Sequence, residues 1–365
     1  MNFIPEQSYN DLPLLPPKAE IETKNILKKT VSASRALAEL KGAANSIPNP
    51  EILITSITLQ EAKSSSAIEN VVTTNDKLFK AFTAKMQFDV ATEEVLRYRD
   101  ALWEGFNELH NKEILTTNLF IKIYQKIKET DAGIRKTPGT KLADGNGKII
   151  YSPPEGEQLI RKLLHNLEQF IHDDESDIDP LIKSAIIHYQ FEAIHPFTDG
   201  NGRTGRIILI LFFVLQKYLT LPILYLSRYI IDNKTQYYKL LKGITENNEW
   251  EPWILYILDG IEVTSKYTTS LIEQIYNSLR KTVELVKRES QARIPKEVIE
   301  LIYEQPYCKS EFIVIKNIAK RKAAERYLKE LERLEILKSE KVGKEVVYRN
   351  ILLYNILIGT KRGSK

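Results

Sequence analysis

The chain has 365 residues, of which 43% are hydrophobic and 27% charged, and this composition excludes a fibrous or disordered protein. Hydrophobic cores stop growing at about 250 to 300 residues, so we expect at least two domains. The net charge is only +4, but the segment from residue 285 onward contains 19 Lys and Arg against 11 Asp and Glu, which makes the basic bias local.

The cysteine content and the apolar segments indicate in which cellular compartment we expect the protein. The one cysteine, Cys308, can form neither an intrachain disulfide nor a multi-cysteine metal site, which fits a reducing compartment and predicts a cytoplasmic protein. Residues 1–20 carry acidic residues and prolines where a secretory signal has a basic segment followed by an apolar one. The longest apolar run, 207–215, is much shorter than the ~20 residues that cross a bilayer, so we expect no membrane partner.

Apolar residues recur at three- and four-residue spacing along most of the chain, which predicts a mainly α fold. The clearest such segments are 94–109, 181–194 and 237–244. Pro48 and Pro50 precede the segment 51–70, which we interpret as one long helix that ends where four β-branched residues follow.

Residues 140–151 carry the clearest β signal. The turn sequence DGNG at 144–147 offers residues that tolerate φ > 0 before an apolar pair, which predicts a hairpin. Two prolines at 153–154 end the second strand, because proline cannot donate to the ladder. A lone hairpin among helices adds little core, so two interpretations stay open: a packed decoration, or a lid or substrate platform.

A further unit is predicted from about residue 294, with three helices followed by two strands, the order of a winged helix-turn-helix. The predicted helices are 296–303, 311–319 and 320–334, and the predicted strands are 336–340 and 345–348. The third helix carries the cations Lys320, Arg321, Lys322, Arg326 and Lys329, where a winged-helix protein would meet the DNA major groove and backbone phosphates, so DNA binding is one interpretation. Glutamates share this helix, and mixed charge is more typical of a solvated or protein-contacting face, so partner docking and dimerisation remain alternatives.

Residues 195–206 read HPFTDGNGRTGR and lie between two apolar helices. The three glycines permit close backbone approach to a ligand, and the start of the second helix offers amides to an anion. Arg203 and Arg206 can clamp successive phosphates. Asp199 is an oxygen ligand suited to Mg²⁺, and His195 can accept a proton near neutral pH. These groups are what phosphoryl or nucleotidyl transfer requires, although the loop lacks the Gly-Lys-Ser/Thr ending of a Walker A motif.

Position for position, the loop resembles the Fic motif, His-x-Phe-x-Asp/Glu-Gly-Asn-Gly-Arg-x-x-Arg. The resemblance implies a helical bundle that transfers AMP from ATP to a Tyr, Thr or Ser hydroxyl of a target protein and releases pyrophosphate. It implies that His195 deprotonates the hydroxyl, that Asp199 holds Mg²⁺ between the α- and β-phosphates, and that Phe197 anchors the loop. The implied ATP-binding residues are Gly200, Asn201, Gly202, Arg203, Gly205 and Arg206 from the loop, and Tyr237 and Tyr238 from a later helix.

Two further segments resemble parts of the same family. The sequence SSAIEN at 65–70 resembles the inhibitory-helix motif Ser/Thr-x-x-x-Glu-Gly/Asn, in which a carboxylate pairs with the last arginine of the loop in the place of the γ-phosphate. The implied inhibitory residues are Ser65, Glu69 and Asn70. The hairpin resembles the family's flap, which docks the target segment by β-augmentation. The implied docking residues are Thr137, Pro138, Gly139, Thr140, Ile149, Ile150 and Tyr151.

The complete prediction is a Fic helical bundle with a β-hairpin flap and a C-terminal winged helix-turn-helix. Its domains are an N-terminal helical region with the inhibitory helix (1–92), a catalytic domain (93–284) and a winged-helix-like domain (285–365). We predict an autoinhibited protein adenylyltransferase that uses ATP, can modify itself and, by analogy with the family, forms a homodimer. The alternatives are a relative that transfers another phosphate-containing group or removes AMP, and a nucleotide-sensing regulator that binds DNA.

Overall fold

The structure, a computed structural model, describes residues 3–47, 49–84 and 88–359, and this part of the chain is mainly helical, as predicted. Pro48 lies outside the described residues. The helices are α1 (Lys24–Asn45), α2 (Glu51–Ile68), α3 (Asn75–Thr83), α4 (Val90–Lys112), α5 (Thr117–Lys128), α6 (Glu157–Ile171), α7 (Pro180–Ile194), α8 (Asn201–Leu215), α9 (Leu226–Asp232), α10 (Lys234–Asn247), α11 (Trp250–Glu289), α12 (Lys296–Glu304), α13 (Ser310–Ile315), α14 (Arg321–Arg333) and α15 (Ile351–Ile358). The strands are β1 (Leu142–Ala143), β2 (Ile149–Tyr151), β3 (Tyr307–Cys308), β4 (Leu337–Val342) and β5 (Glu345–Asn350).

Helix α2 is buried on nearly all sides and packs against α4 and α9. Buried Glu61 fixes it to both neighbours, because its carboxylate accepts hydrogen bonds from the Tyr98 hydroxyl on α4 (3.2 Å) and from the Ser227 backbone N–H on α9 (3.0 Å). The predicted helix over 51–70 is confirmed, with its last helical residue at Ile68.

Helices α7 and α8 pack against each other inside the bundle, and α8 also contacts α4 and α5. Asp179 caps α7 by accepting a hydrogen bond from the Leu181 N–H (2.8 Å), and Pro180 occupies its first turn. Both helices bury nearly all of their side chains, which confirms the run 207–215 as a core segment. The loop between them is therefore anchored at both ends by helices of the core.

The predicted hairpin is confirmed, with β1 and β2 antiparallel and an irregularity in β1. Its turn is held by Asp144, whose Oδ1 accepts hydrogen bonds from the N–H groups of Asn146 (2.9 Å) and Lys148 (3.0 Å). The Tyr151 ring at its base stacks on Phe3 with 5.8 Å between centroids. The Tyr151 hydroxyl donates to the Ala193 carbonyl oxygen (2.7 Å), so the hairpin is fastened to the last turn of α7.

The C-terminal unit follows α11, a helix of 40 residues and about 60 Å. Its three-stranded antiparallel sheet has the order β3-β5-β4, and α14 lies against β4. The three predicted helices and two predicted strands are confirmed, whereas β3 and α15 were not predicted. The second helix was predicted to reach residue 319, and this is wrong: α13 ends at Ile315, and Asn317 adopts a left-handed φ of 55° that cannot continue a helix.

Both predicted domain boundaries fall inside helices. The boundary at 92/93 lies within α4, and the boundary at 284/285 lies within α11, which runs without a break to Glu289. Within the described ranges, no helix is both long and apolar enough to cross a membrane.

Candidate active site

The loop between α7 and α8 is held in one conformation by its own residues. His195 ends α7 with a left-handed φ of 48°, and Gly200 precedes α8 with a φ of 74°. Between them, the Asn201 side chain bonds both backbone groups of Phe197, accepting from its N–H and donating to its carbonyl oxygen, each at 2.8 Å. The Phe197 ring is fully buried and stacks on Tyr124 with 4.2 Å between centroids. The loop therefore presents its polar groups from a rigid frame.

His195 is neutral at physiological pH. Burial lowers its pKa to about 4, and the nearby charge of Arg135 lowers it further, against the opposing effects of the Glu192 carbonyl and of the carboxylates of Glu69 and Asp199. A neutral imidazole can accept a proton, which is what a general base must do.

Arg135, which the sequence gave no reason to select, fastens the loop to the flap. Its Nε donates to the His195 carbonyl oxygen (2.8 Å), and its backbone N–H donates to the Pro196 carbonyl oxygen (2.9 Å). The same guanidinium donates to the carbonyl oxygen of Pro154, just after β2. The side chain is almost fully buried, so this one arginine joins the loop that carries His195 to the base of the hairpin.

Two glycines of the loop lie close to glutamate side chains. A Cβ on Gly202 would collide with the carboxylate of Glu69 and would lie 2.9 Å from Arg206. A Cβ on Gly205 would lie 2.5 Å from Glu192 Oε1. Helix α8 begins here without a side-chain cap and with no acidic residue in its first turn, which leaves its N-terminal amides suited to an anion.

Arg203 and Asp199 belong to a small network of charges. The buried Arg203 pairs with Glu94 of α4, and Lys128 of α5 lies 3.0 Å from Glu94 Oε1 and 2.6 Å from Asp199 Oδ2. Although partial burial by itself raises the pKa of Asp199, hydrogen bonding and charge from Lys128 leave that pKa below its usual range, so the carboxylate is ionised. Glu94 and Lys128 were not predicted.

The donor set fits Mg²⁺ brought by a nucleotide. Among the described residues, no group of three or more His, Cys, Asp and Glu gathers to hold a metal ion. Asp199 offers a single carboxylate with 63% of its side chain exposed. Mg²⁺ is commonly held by one or two carboxylates together with substrate phosphates, so Asp199 fits that role.

Arg206 is held by the end of α2. Its Nε donates to Ser65 Oγ (2.8 Å), and its Nη2 donates to the Ser65 carbonyl oxygen (2.9 Å) and to Glu69 Oε1 (2.9 Å). Glu69 is the C-cap of α2, and Asn70 follows in the left-handed conformation (φ 63°) that commonly ends a helix. Lys234 of α10, which was not predicted, fixes this helix end by donating to the Ile68 carbonyl oxygen (2.5 Å).

A cavity of about 840 Å³ opens beside these groups. The loop, α2, the flap and α10 all contribute to its wall, including His195, Gly202, Arg206, Glu69, Asn70, Ile150, Tyr151, Glu192, Tyr237 and Tyr238. The two predicted tyrosines differ in their surroundings. Tyr237 is buried and its hydroxyl lies 2.9 Å from His188 Nε2, whereas Tyr238 is 40% exposed. Of the predicted flap residues, Thr137, Pro138 and Gly139 lie exposed before β1, Thr140 is half-buried, and Ile149 pairs with Ala143.

Glu192 has a buried carboxylate oxygen, Oε1, with no hydrogen-bond partner among the described residues. Burial raises its pKa to about 8, partly offset by the charge of Arg206. It therefore carries a proton for much of the time at neutral pH, and it adds little negative charge beside Arg206.

Three family models match consecutive parts of the chain. The model described as Fic/DOC family N-terminal matches residues 27–107, and the Fic/DOC family model matches residues 114–213. A third, described as the C-terminal domain of SoFic-like protein adenylyltransferases, matches residues 278–353.

Curated relatives match a shorter stretch. The chain is 27% identical over 114 residues to protein adenylyltransferase fic-1 of Caenorhabditis elegans, a stretch that covers 30% of this chain and 21% of that protein. It is 32% identical over 102 residues to the probable protein adenylyltransferase aq_aa38 of Aquifex aeolicus, covering 27% of this chain and 29% of that protein. The matched stretches thus span less than a third of these relatives.

Solved structures match over much more of the chain. A Fic family protein from Desulfovibrio desulfuricans G20 superposes with a TM-score of 0.61 at 18% identity, covering 96% of this chain and 99% of that one. Fic-1 from Caenorhabditis elegans superposes with a TM-score of 0.53 at 18% identity, covering 68% and 74%. At this level of identity, these matches establish the fold alone.

Proposed function

Because the chain belongs to the Fic/DOC family, we propose that it is a protein adenylyltransferase that transfers AMP from ATP to a Tyr, Thr or Ser hydroxyl of a target protein and is held inactive by α2. The observation that carries this proposal is the contact between the end of α2 and the catalytic loop: Glu69 Oε1 lies 2.9 Å from Arg206 Nη2. That contact occupies a guanidinium that a nucleotide phosphate needs.

In the proposed reaction, the target hydroxyl oxygen attacks the α-phosphorus of ATP. The bond between the α-phosphorus and the oxygen that bridges it to the β-phosphorus breaks, and pyrophosphate leaves. His195, neutral because of its low pKa, takes the hydroxyl proton. We propose that the amides at the start of α8 stabilise the negative charge that develops on the phosphates. Arg203, which is buried and pairs with Glu94 in this structure, is proposed to contact a phosphate once ATP is bound. When bound through Asp199, Mg²⁺ would neutralise charge on the phosphates.

Inhibition follows from competition for Arg206. The guanidinium donates to Glu69 and Ser65 in the described state, so the γ-phosphate of ATP meets a carboxylate where it would need a cation. Repulsion between that carboxylate and the phosphate favours weak or misplaced nucleotide binding. Helix α2 is held by hydrogen bonds at Glu61, Ser65 and Ile68. These bonds support the proposal that α2 holds the inhibitory Glu69 in a fixed position.

The flap is proposed to dock the target segment. Strand β2 is the second strand of a two-stranded sheet, and Ile150 and Tyr151 reach the cavity wall beside His195. An extended peptide paired with such a short sheet would bring a hydroxyl to the loop. Self-modification is proposed on the same basis, with a segment of a copy of the chain as the docked peptide.

The experiment that tests this function incubates wild type, Glu69→Gly and Glu69→Gly/His195→Ala with Mg²⁺ and ATP labelled in the α- or the γ-phosphate. We expect an AMP adduct by intact mass, labelled only from the α-position, strongest in Glu69→Gly and absent without His195. A γ-label would mean phosphate transfer, and loss of AMP from a premodified target would mean removal. Nucleotide binding without any modification would overturn the transferase proposal.

We further propose a cytoplasmic location and a homodimer. The location is supported by the single cysteine, Cys308, which is buried and whose pKa burial raises to about 12, so it is poorly suited to disulfide chemistry. The dimer rests on the family resemblance alone. Light scattering should give twice the chain mass of 42.1 kDa, and a value at the monomer mass would refute it.

A further inference from the structure

Helix α14 presents a basic face to solvent. The helix packs on α13 and β4 through the buried residues Ala324, Leu328 and Leu331. Its opposite side carries Lys322, Arg326 and Lys329, all exposed, at positions i, i+4 and i+7. That spacing places the three cations on one face.

The cations of the C-terminal unit fall into two groups. Those that face the rest of the protein are neutralised: Lys309 pairs with Glu345 (2.9 Å) and Lys316 pairs with Glu304 (2.8 Å). Arg321, Arg333 and Arg349 are likewise paired with glutamates, whereas, among the described residues, the remaining cations of α14, of its N-cap and of the β4–β5 hairpin are not. Within the described part of the chain, no ion pair is formed by Lys320, Lys322, Arg326, Lys329, Lys338, Lys341 or Lys344, and all seven are exposed.

Two of the glutamates that made the sequence ambiguous are engaged by backbone N–H groups. Glu330 accepts a hydrogen bond from the Gln291 N–H (2.7 Å) and pairs with Arg333 (2.8 Å). Glu332 accepts from the Ser339 N–H of β4 (2.7 Å). Glu325 stays exposed on α14 and pairs with Arg321 (3.2 Å), so the outer face keeps a positive excess in which Lys322, Arg326 and Lys329 form no ion pair with any described residue.

We propose that this face binds double-stranded DNA, with α14 in the major groove and the basic β4–β5 hairpin against the backbone. A helix of 13 residues is about 20 Å long and 10 to 12 Å wide, which fits a major groove about 12 Å wide. Double-stranded RNA fits poorly, because its major groove is too narrow for a helix. The seven-residue span from Lys322 to Lys329 is about 10 Å, long enough to reach about three phosphates of one strand.

This inference does not depend on the proposed transfer reaction, since α14 contributes no residue to the cavity at the loop. The test measures fluorescence anisotropy of a labelled mixed-sequence duplex of about 20 base pairs, titrated with the full chain from about 50 to 200 mM salt. The test variant is Lys322→Ala/Arg326→Ala/Lys329→Ala. The matched control is Lys24→Ala/Lys28→Ala/Arg35→Ala, which removes two lysines and one arginine, all exposed, from one face of α1.

We expect the wild type and the α1 control to bind alike, with affinity falling steeply as salt rises. Loss of three phosphate contacts should lower the slope of log K against log salt by about 2.7 and weaken binding at low salt at least tenfold. AMP transfer by Glu69→Gly should be the same with and without the α14 substitutions. Absence of binding at about 50 mM salt, an equal loss in the α1 control, or tighter binding of an RNA duplex would each overturn the proposal.

Discussion

Replacing Glu69 with glycine should raise the rate of AMP transfer by roughly 10- to 30-fold at subsaturating ATP. The substitution removes a charge-assisted hydrogen bond of 2.9 Å to Arg206, and such bonds contribute about 1.5 to 3 kcal/mol. The Glu69 side chain is 31% exposed, so solvent screening argues for the lower part of that range, about 1.5 to 2 kcal/mol. Because 1.4 kcal/mol is a factor of ten, this range gives the stated increase.

The assay is the initial rate of α-label incorporation, measured over a series of ATP concentrations below saturation. Asn70→Gly is the matched control, because it places a glycine at the same helix end, in a left-handed conformation that glycine adopts freely, without touching Arg206. It should leave the rate unchanged. Equal rates for Glu69→Gly and wild type, or an equal rise in Asn70→Gly, would show that the Glu69–Arg206 pair does not limit the reaction.

Three further outcomes follow from the same geometry. Lys234→Ala removes the hydrogen bond to the Ile68 carbonyl oxygen and should free the end of α2, which should raise the rate of AMP transfer roughly 2- to 10-fold. In the Glu69→Gly background the same substitution should add nothing, which a double-mutant cycle measures. Because burial lowers the pKa of His195 to about 4, the imidazole is already neutral above that pH. The rate of AMP transfer by Glu69→Gly should therefore stay level from about pH 5.5 to 8. A half-maximal rate near pH 6.5 would contradict a general base with this low pKa. Ile149→Pro should break the pairing of β2 with β1 and reduce target modification more than ATP binding, so equal losses would argue against a docking flap.

The chemical groups of the loop could be predicted because they are contiguous. Twelve residues carry the histidine, the carboxylate, the glycines and both arginines, and the helices on either side follow from local hydrophobic patterning. Their supports could not be predicted in the same way. Arg203 pairs with Glu94, 109 residues earlier, and the carbonyl of His195 is held by Arg135, 60 residues earlier. Nothing in the sequence around Glu94 or Arg135 distinguishes them from other charged residues of the chain.

The distribution of charge on the surface of the C-terminal unit also could not be predicted from the sequence. Lysines, arginines and glutamates are interspersed along 320–335, so the sequence alone leaves a DNA-binding face open, although mixed charge is more typical of a solvated or protein-contacting face. The charge of the exposed face depends on which side of α14 packs against the rest of the unit. It also depends on which glutamates accept hydrogen bonds from backbone N–H groups of β4 and of the 290–292 segment. Both depend on tertiary packing, which a pattern of residue types does not encode.

Helix α10 contributes to the cavity wall and also donates a hydrogen bond to the end of α2. Lys234, at the start of this helix, holds the carbonyl that ends α2, and Tyr238, one turn later, lines the cavity. A ligand that shifts α10 therefore acts on the hydrogen bond that fixes the end of α2, next to Glu69. Because Glu61 anchors the middle of α2 to α4 and α9, only its last turn can yield without disturbing the core. The contact between Glu69 and Arg206 thus depends on a few polar contacts at one helix end, and displacing them would cost far less than unfolding the buried helix behind them.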